Sequence, residues 1–340
     1  MTQHRLTEFL SRLVRREDLN RAEAEQLLES LLDAEATDAQ IAAALVALAA
    51  KGETVEELTG MATGLRARAV RIDSNHPCFI DTAGTGSSRA KTFNISTAAA
   101  FVIAGAGLPV AKHGNRAASS KSGSADLLTA LGVNVSAIPS VSQDALNEIG
   151  ICFMFAPLYH GATARVAGIR RQLGIHTTFN LLGPLSNPAG APRQIIGVFR
   201  KDLAERLASV LAALGTEHAW VVHGEDGLDE ITLAGKTHVA EARGSEVKTF
   251  EISPQDFGFD AAALEHLRGG DTEANATIVR AVLAGERHDE ARQLVIMTAA
   301  AALMLGGVVE SLRDGSNRAA EAIDSGAALA KLERLIEVTN

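Results

Sequence analysis

Four polar segments of this chain hold side chains that can do chemistry, and each follows an apolar run. The first, 81–97, reads DTAGTGSSRAKTFNIST. Gly84 and Gly86 permit a tight turn, Arg89 and Lys91 add cations, and Asn94, Ser96 and Thr97 open an apolar stretch of helical texture. A helix start offers free N–H groups and a partial positive charge, which suit a phosphate. Taken alone, the segment supports two readings, a phosphate cradle or an ordinary turn with a Ser/Thr cap. It matches neither the P-loop pattern nor the dinucleotide fingerprint.

The second segment, 110–126, carries Lys112, His113, Arg116 and Lys121 among four serines and two glycines. A cationic, hydroxyl-rich loop after a strand suits a phosphate or diphosphate; a solvated surface loop is the plainer reading. The third, 155–188, holds Arg170 and Arg171 between two turn-rich stretches. An arginine facing a cleft grips a carboxylate with two donors, whereas adjacent helical arginines are by default solvated. The fourth, 221–230, ends a buried strand in Glu225, Asp226, Asp229 and Glu230. Magnesium takes one or two carboxylates plus waters and substrate phosphates, which the adjacent Asp229 and Glu230 fit. His223 reads as a strand-end residue. No Cys/His cluster suggests zinc, and no Ser/His/Asp set stands out.

The elements that must position these segments change character along the chain. Residues 6–70 read as helical. Thr7 precedes the pairs Phe9/Leu13 and Leu10/Val14. Asn20 with Glu23, Thr37 with Gln40 and Thr54 with Glu57 are helix-start signatures, and Gly52 is a stop. Such short amphipathic helices must pack on the rest of the chain or on a second subunit. From about 73 onward, strand candidates at 78–81, 108–111, 151–155, 195–199 and 219–223 alternate with helical stretches such as 97–105 and 204–214. A late hairpin is expected at 237–242 and 247–252, then mainly helix over 271–340. That alternation argues for an α/β fold with a mostly parallel central sheet flanked by helices, with ligands at the carboxyl ends of its strands.

A chain of 340 residues exceeds one ordinary core, so two domains are expected. The net charge of −9 opposes a nucleic-acid partner. Cys78 and Cys152 lack metal-like spacing and lie in apolar, strand-like runs, as buried reduced thiols do. The start has no signal-peptide core and no stretch of about 18 apolar residues occurs, so a cytoplasmic protein without membrane contact is expected.

The strings NIST, KHGNR and SSKSGSAD, then FAP with His160, RRQLG and TFNLLGPLSNPA, then VVHGEDGLDEI, closely resemble the anthranilate phosphoribosyltransferases, in order and over nearly the whole chain. The resemblance implies a small helical domain at 1–72, joined in space by part of 160–190, and a large α/β domain at 73–340. The fold is the one shared with pyrimidine nucleoside phosphorylases. It implies a homodimer joined through the N-terminal helices. Phosphoribosyl diphosphate would lie on Gly84, Ser87, Ser88, Thr92, Asn94, Ile95, Ser96 and Thr97. It would also meet the loop Lys112, His113, Gly114, Asn115, Arg116, Ala117, Ala118, Ser119 and Ser120, with Ser124 nearby. Ser96, Asp229 and Glu230 would hold two magnesium ions. Gly84, Asn115 and Arg170 would line the anthranilate path, Arg170 meeting its carboxylate, with His160 and Pro184 shaping the tunnel. Lys112 and Arg170 would act by charge and position, with no general base.

The chain also departs from the family pattern. Where the family usually reads G-T-G-G-D-G, this chain has Gly84-Thr85-Gly86-Ser87-Ser88-Arg89 and then Ala90. The local charge changes by about two units, which should alter magnesium and diphosphate affinity. After His160, the family's Pro, Met and Lys become Gly161, Thr163 and Ala164, and a further proline becomes Gly168. The expected wall is smaller and more flexible. Beside the transferase reading stand a nucleoside phosphorylase, for which the acidic loop has no role, a nucleic-acid-binding relative, which the charge opposes, and a related transferase with another acceptor.

Overall fold

A computed structural model of the chain describes residues 5–86, 92–117, 122–263 and 269–340. Its first part is helical: α1 (Arg5–Val14), α2 (Arg21–Leu32), α3 (Asp38–Lys51) and α4 (Val55–Ala67). Asn20, Thr37 and Thr54 each accept a hydrogen bond from the backbone three residues on, and Glu23, Gln40 and Glu57 reach back to complete capping boxes. Replacing such a cap by alanine costs about 1 kcal/mol. Gly52, at φ +84°, ends α3 as its N–H bonds the Leu48 carbonyl. Thr7 falls inside α1 rather than before it. Glu57 does more than cap α4. Its buried carboxylate meets Lys51 at 2.9 Å and accepts from the Leu19 N–H at 3.0 Å, tying the loop before α2 to α3 and α4.

The sheet has seven strands in the order β3-β2-β1-β4-β5-β6-β7. These are β1 (Ile80–Gly84), β2 (Val110–Gly114), β3 (Ile151–Phe155), β4 (Arg193–Gly197), β5 (His218–Gly224), β6 (Thr237–Arg243) and β7 (Glu246–Ile252). The first five in chain order are parallel, and β6 and β7 form an antiparallel hairpin on one edge. Strand β3 lies where the pattern puts it. By contrast, β1 and β2 begin two residues later than expected, and β4 two residues earlier. The ladders run to Gly84↔Gly197 and Gly114↔Phe155, because parallel pairing continues past the apolar core of a strand. Asp81, Thr82, Lys112 and His113 are therefore strand residues, all buried. The late start of β1 also leaves Cys78 outside the sheet and half-buried, its thiol 3.6 Å from the Gly306 carbonyl, whereas Cys152 is buried in β3.

Between the strands run α5 (Ile95–Gly105), α6 (Ser124–Ala130), α7 (Pro139–Ile149), α8 (Ala156–Tyr159), α9 (Ala164–Leu173), α10 (Thr178–Leu185) and α11 (Asp202–Ala213). The chain ends in α12 (Thr272–Leu283), α13 (Glu290–Leu305), α14 (Leu312–Asp324) and α15 (Ala327–Thr339). Alternation along β4 and β5 decides what each sheet face buries. Ile195, Trp220 and Val222 join α5 and α13 in one core, whereas Ile196, Val198 and Val221 join α11 in the other. That second core continues without a break through α9 and α10 into α1–α4. The N-terminal helices thus bury their faces on the chain's own α9, α10 and α11.

Candidate active site

The crevice at the carboxyl ends of β1, β2, β4 and β5 gathers most of the singled-out residues. After β1 the chain turns through Gly86 at φ +67°, a left-handed conformation that glycine adopts freely. The Thr85 N–H and hydroxyl both bond the Gly197 carbonyl, at 2.9 and 3.2 Å. A Cβ on Gly197 would stand 1.7 Å from the Asp229 carbonyl oxygen. Only glycine there lets the loop after β5 cross the end of β4. The crossing puts the Asp229 carboxylate over Gly84, where a Cβ would lie 3.9 Å from Oδ2. Gly197 drew no notice in the sequence, since it sits in an apolar strand with no motif around it.

Glu230 accepts from the Ser96 N–H at 3.2 Å, in the first turn of α5. Asn94 stands at the N-cap position but makes no capping bond. Instead its amide reaches the Ser122 carbonyl at 3.3 Å. The ordinary capped-turn reading of this segment is therefore not what the fold contains. Ile95 and Thr97 are buried, Ile95 in the core, so neither side chain is presented at the crevice surface. Thr92 is half-buried. Ser87 and Ser88 lie outside the described residues.

Beneath these groups lies a buried charge pattern. The Lys112 ammonium donates to the carbonyl and to the hydroxyl oxygen of Thr82, the latter at 3.2 Å. Burial pushes it down, and the nearby Asp81 and Glu230 carboxylates push it back up. Asp81 has no exposed surface, and burial raises its carboxyl to about 6 against Lys112, the Asn187 amide at 2.8 Å and the His113 N–H at 3.1 Å. The Glu230 carboxyl is raised to about 8, first by burial and then by Asp229, with Lys112 and Ser96 opposing. Two adjacent carboxylates that repel one another, one of them raised further by its surroundings, form a donor set that a divalent cation relieves. Among the described residues no group of three or more His, Cys, Asp or Glu could hold a metal. Magnesium takes one or two carboxylates and draws its remaining ligands from water and phosphate. Neither Asp81 nor Asn187 was singled out from the sequence, although an acid closing an apolar strand is a signal that could have found Asp81.

The loop after β2 packs on the start of α6. A Cβ on Gly114 would meet the Ser124 hydroxyl at 2.2 Å and the Phe153 ring at 2.7 Å. Ser124 donates to the Asn115 carbonyl at 3.3 Å. Asp126 accepts from the Ala117 and Gly123 N–H groups at 2.9 and 3.0 Å and pairs with Arg116 at 3.0 Å. Burial raises this carboxyl, and those bonds together outweigh it. Arg116 also lies 5.6 Å from the centre of the Phe155 ring. Asn115 is exposed. Ala118, Ser119 and Ser120 fall outside the described residues.

A second group hangs on α10. The His113 Nδ1 lies 3.2 Å from the Gly183 carbonyl. A carbonyl only accepts, so Nδ1 carries the proton. The His113 ring meets that of His160 edge-on at 5.2 Å. Burial, then His160, lowers His113 to about 3, and burial also lowers His160, so both rings are neutral. Arg170 donates to the Asn180 side chain at 3.1 Å and lies 5.6 Å from the centre of the Phe179 ring. Its Nε has no hydrogen-bond partner and no acid pairs with it among the described residues. Burial lowers it. A guanidinium with only neutral company is prepared for an anion. Arg171, one residue on, is exposed, as the default reading has it. Pro184 is buried within α10, and Gly161 and Gly168 have open space where a side chain would be.

Comparison with known proteins follows the same two-part division. Residues 7–69 match the helical bundle domain of a glycosyl transferase family, and 76–329 match its a/b domain. The chain is 50 % identical to an anthranilate phosphoribosyltransferase of Paramagnetospirillum magneticum, over 98 % of this chain and 96 % of that one. It is 52 % identical to that of Anaeromyxobacter dehalogenans, over 97 % of each. Its fold is similar to the crystal structure of the Thermus thermophilus enzyme (TM-score 0.90, 38 % identity, 97 % and 98 % covered). It is also similar to the Saccharomyces cerevisiae enzyme in complex with PRPP and Mg (TM-score 0.90, 29 % identity, 98 % and 97 % covered).

Proposed function

This chain belongs to the anthranilate phosphoribosyltransferase family, and from that premise we propose how its own residues divide the work. The enzyme transfers the 5-phosphoribosyl group from phosphoribosyl diphosphate to the amino nitrogen of anthranilate, giving N-(5-phosphoribosyl)anthranilate and diphosphate in tryptophan biosynthesis. The crevice over β1, β4 and α5 is the donor side, and the α10 group is the acceptor side. The observation that carries this reading is the pairing of an acidic couple at a helix start with a half-buried arginine that lacks an acid among the described residues.

As diphosphate leaves, positive charge develops on the anomeric carbon and negative charge on the leaving group. Ser96, Asp229 and Glu230 would hold magnesium, two ions in this reading. Bound there, the metal neutralises charge on the departing diphosphate. Lys112, fixed by Thr82, keeps Asp81 and Glu230 in a set pattern, and the dipole at the start of α5 adds positive potential. Arg170 takes the anthranilate carboxylate and so orients the amine. His160 and Pro184 bound the path, and Gly84 with Asn115 lies between the two sides. Anthranilate's amine is neutral at pH 7, so no strong base is required. The neutral His113, its Nδ1 proton committed to Gly183, agrees with that. Holding the amine against the anomeric carbon supplies much of the rest.

The same reading divides the chain at 72/73, with part of 160–190 on the helical side, which the packing of α9 and α10 supports. It makes the protein a cytoplasmic homodimer joined through its N-terminal helices. The exposed Val14 and Val46 on α1 and α3 support that face. The charge of −9 supports a partner list without nucleic acid. No described helix is long and apolar enough to cross a membrane. Purified protein with phosphoribosyl diphosphate and magnesium is expected to abolish anthranilate fluorescence. Persistence of the signal at high enzyme, with phosphate-dependent release of base from pyrimidine nucleosides instead, would overturn the reading.

A further inference from the structure

Helix α10 is tied at both ends to the helical unit. At its amino end the Thr178 hydroxyl donates to the Glu53 carboxylate at 2.5 Å, and both residues are buried. At its carboxyl end the Arg66 Nε donates to the Leu185 carbonyl at 2.6 Å. Arg66 pairs with no acid among the described residues, and burial lowers it to about 10. Placing a guanidinium there without an acid is costly. What it receives is the negative end of a short helix. Pro184 removes an N–H from that last turn, so its own ladder is incomplete and outside ties matter more.

Between the two ties, α10 carries the groups that fix the acceptor side. Asn180 holds Arg170, and Phe179 lies beside the same guanidinium. On the donor side, Ser96 and Glu230 bond each other instead. We propose that α10 is a strap that makes the acceptor pocket follow the helical unit, with Glu53, Arg66 and Thr178 as positioning residues for anthranilate. None of the three has to touch substrate. They act through Arg170, because a shift of α10 by about an ångström stretches its bond to Asn180 beyond useful length.

This rests on the acceptor-side reading above, so the experiment separates the two. Thr178→Val keeps the shape and removes the donor. It is expected to raise KM for anthranilate about five- to tenfold, the size of one hydrogen bond, with KM for phosphoribosyl diphosphate within twofold. Thr178→Ser should restore the wild-type value, and Arg66→Met should act as Thr178→Val does. Melting curves establish that each variant is folded at the assay temperature. If Thr178→Val fails that check, Arg66→Met decides. Folded variants that leave the anthranilate KM within twofold, or raise both KM values equally, overturn the strap, provided Arg170→Met raises the anthranilate KM. If Arg170→Met also leaves it unchanged, the acceptor-side reading fails and the strap with it.

Discussion

The buried titratable residues make the sharpest demands. His113 has a folded value of about 3, below that of free imidazole near 6.5. Between those values the unfolded chain binds more protons, so stability rises with pH there. This contribution is complete above 6.5 and is lost as pH falls towards 3. Going from pH 7 to 5, a residue so placed removes on the order of 2 kcal/mol. Urea unfolding at the two pH values is expected to show a smaller drop in His113→Asn than in the parent; an equal drop would mean the imidazole titrates normally when folded. Residue identity was legible in the sequence to the extent that a motif surrounded it. Lys112, Glu230 and Arg170 were singled out that way, whereas Asp81, Asn187 and Arg66 have surroundings that only burial and partners reveal. The two arginines at 170 and 171 make the same point, since adjacent positions on a helix point in directions about 100° apart, and only the first is half-buried.

At the level of elements, the reading from sequence was best where the signal is local. Three capping boxes placed the starts of α2, α3 and α4, because a cap is read from residues three apart. Strand ends fared worse, since the partner strand sets them and it is far away in the chain. The crossing at Gly197 is of that kind, a close approach between β4 and the loop after β5. Gly197→Ala must push the Asp229 backbone aside, as a Cβ 1.7 Å from an oxygen cannot be accommodated. The expected outcome is a folded protein with kcat/KM lowered about a hundredfold and a raised magnesium requirement, read by titrating the metal in the fluorescence assay. Activity at the parent level would show that Asp229 need not lie over Gly84.

At the scale of the whole molecule, the α/β class and its mostly parallel sheet were legible from alternating patterns. How the helical unit attaches came only from the family resemblance, which joins part of 160–190 to it, because those contacts link residues far apart in sequence. The dimer face makes a separate prediction. Val46→Glu on α3 places a charge on an exposed apolar position, and light scattering is expected to give the mass of one chain. A mass of two chains would move the interface elsewhere. The shared core has one more consequence, for synthesis on the ribosome. The apolar face of α4 packs first on α2, but its cover is completed by α11, which carries Leu211 about 150 positions downstream of Leu65. At the usual 5–20 residues per second, those helices emerge roughly 7 to 30 seconds before their cover does. The nascent chain therefore passes through an interval in which leucine-rich helices lie partly uncovered, and a chaperone that holds such surfaces has its opportunity there.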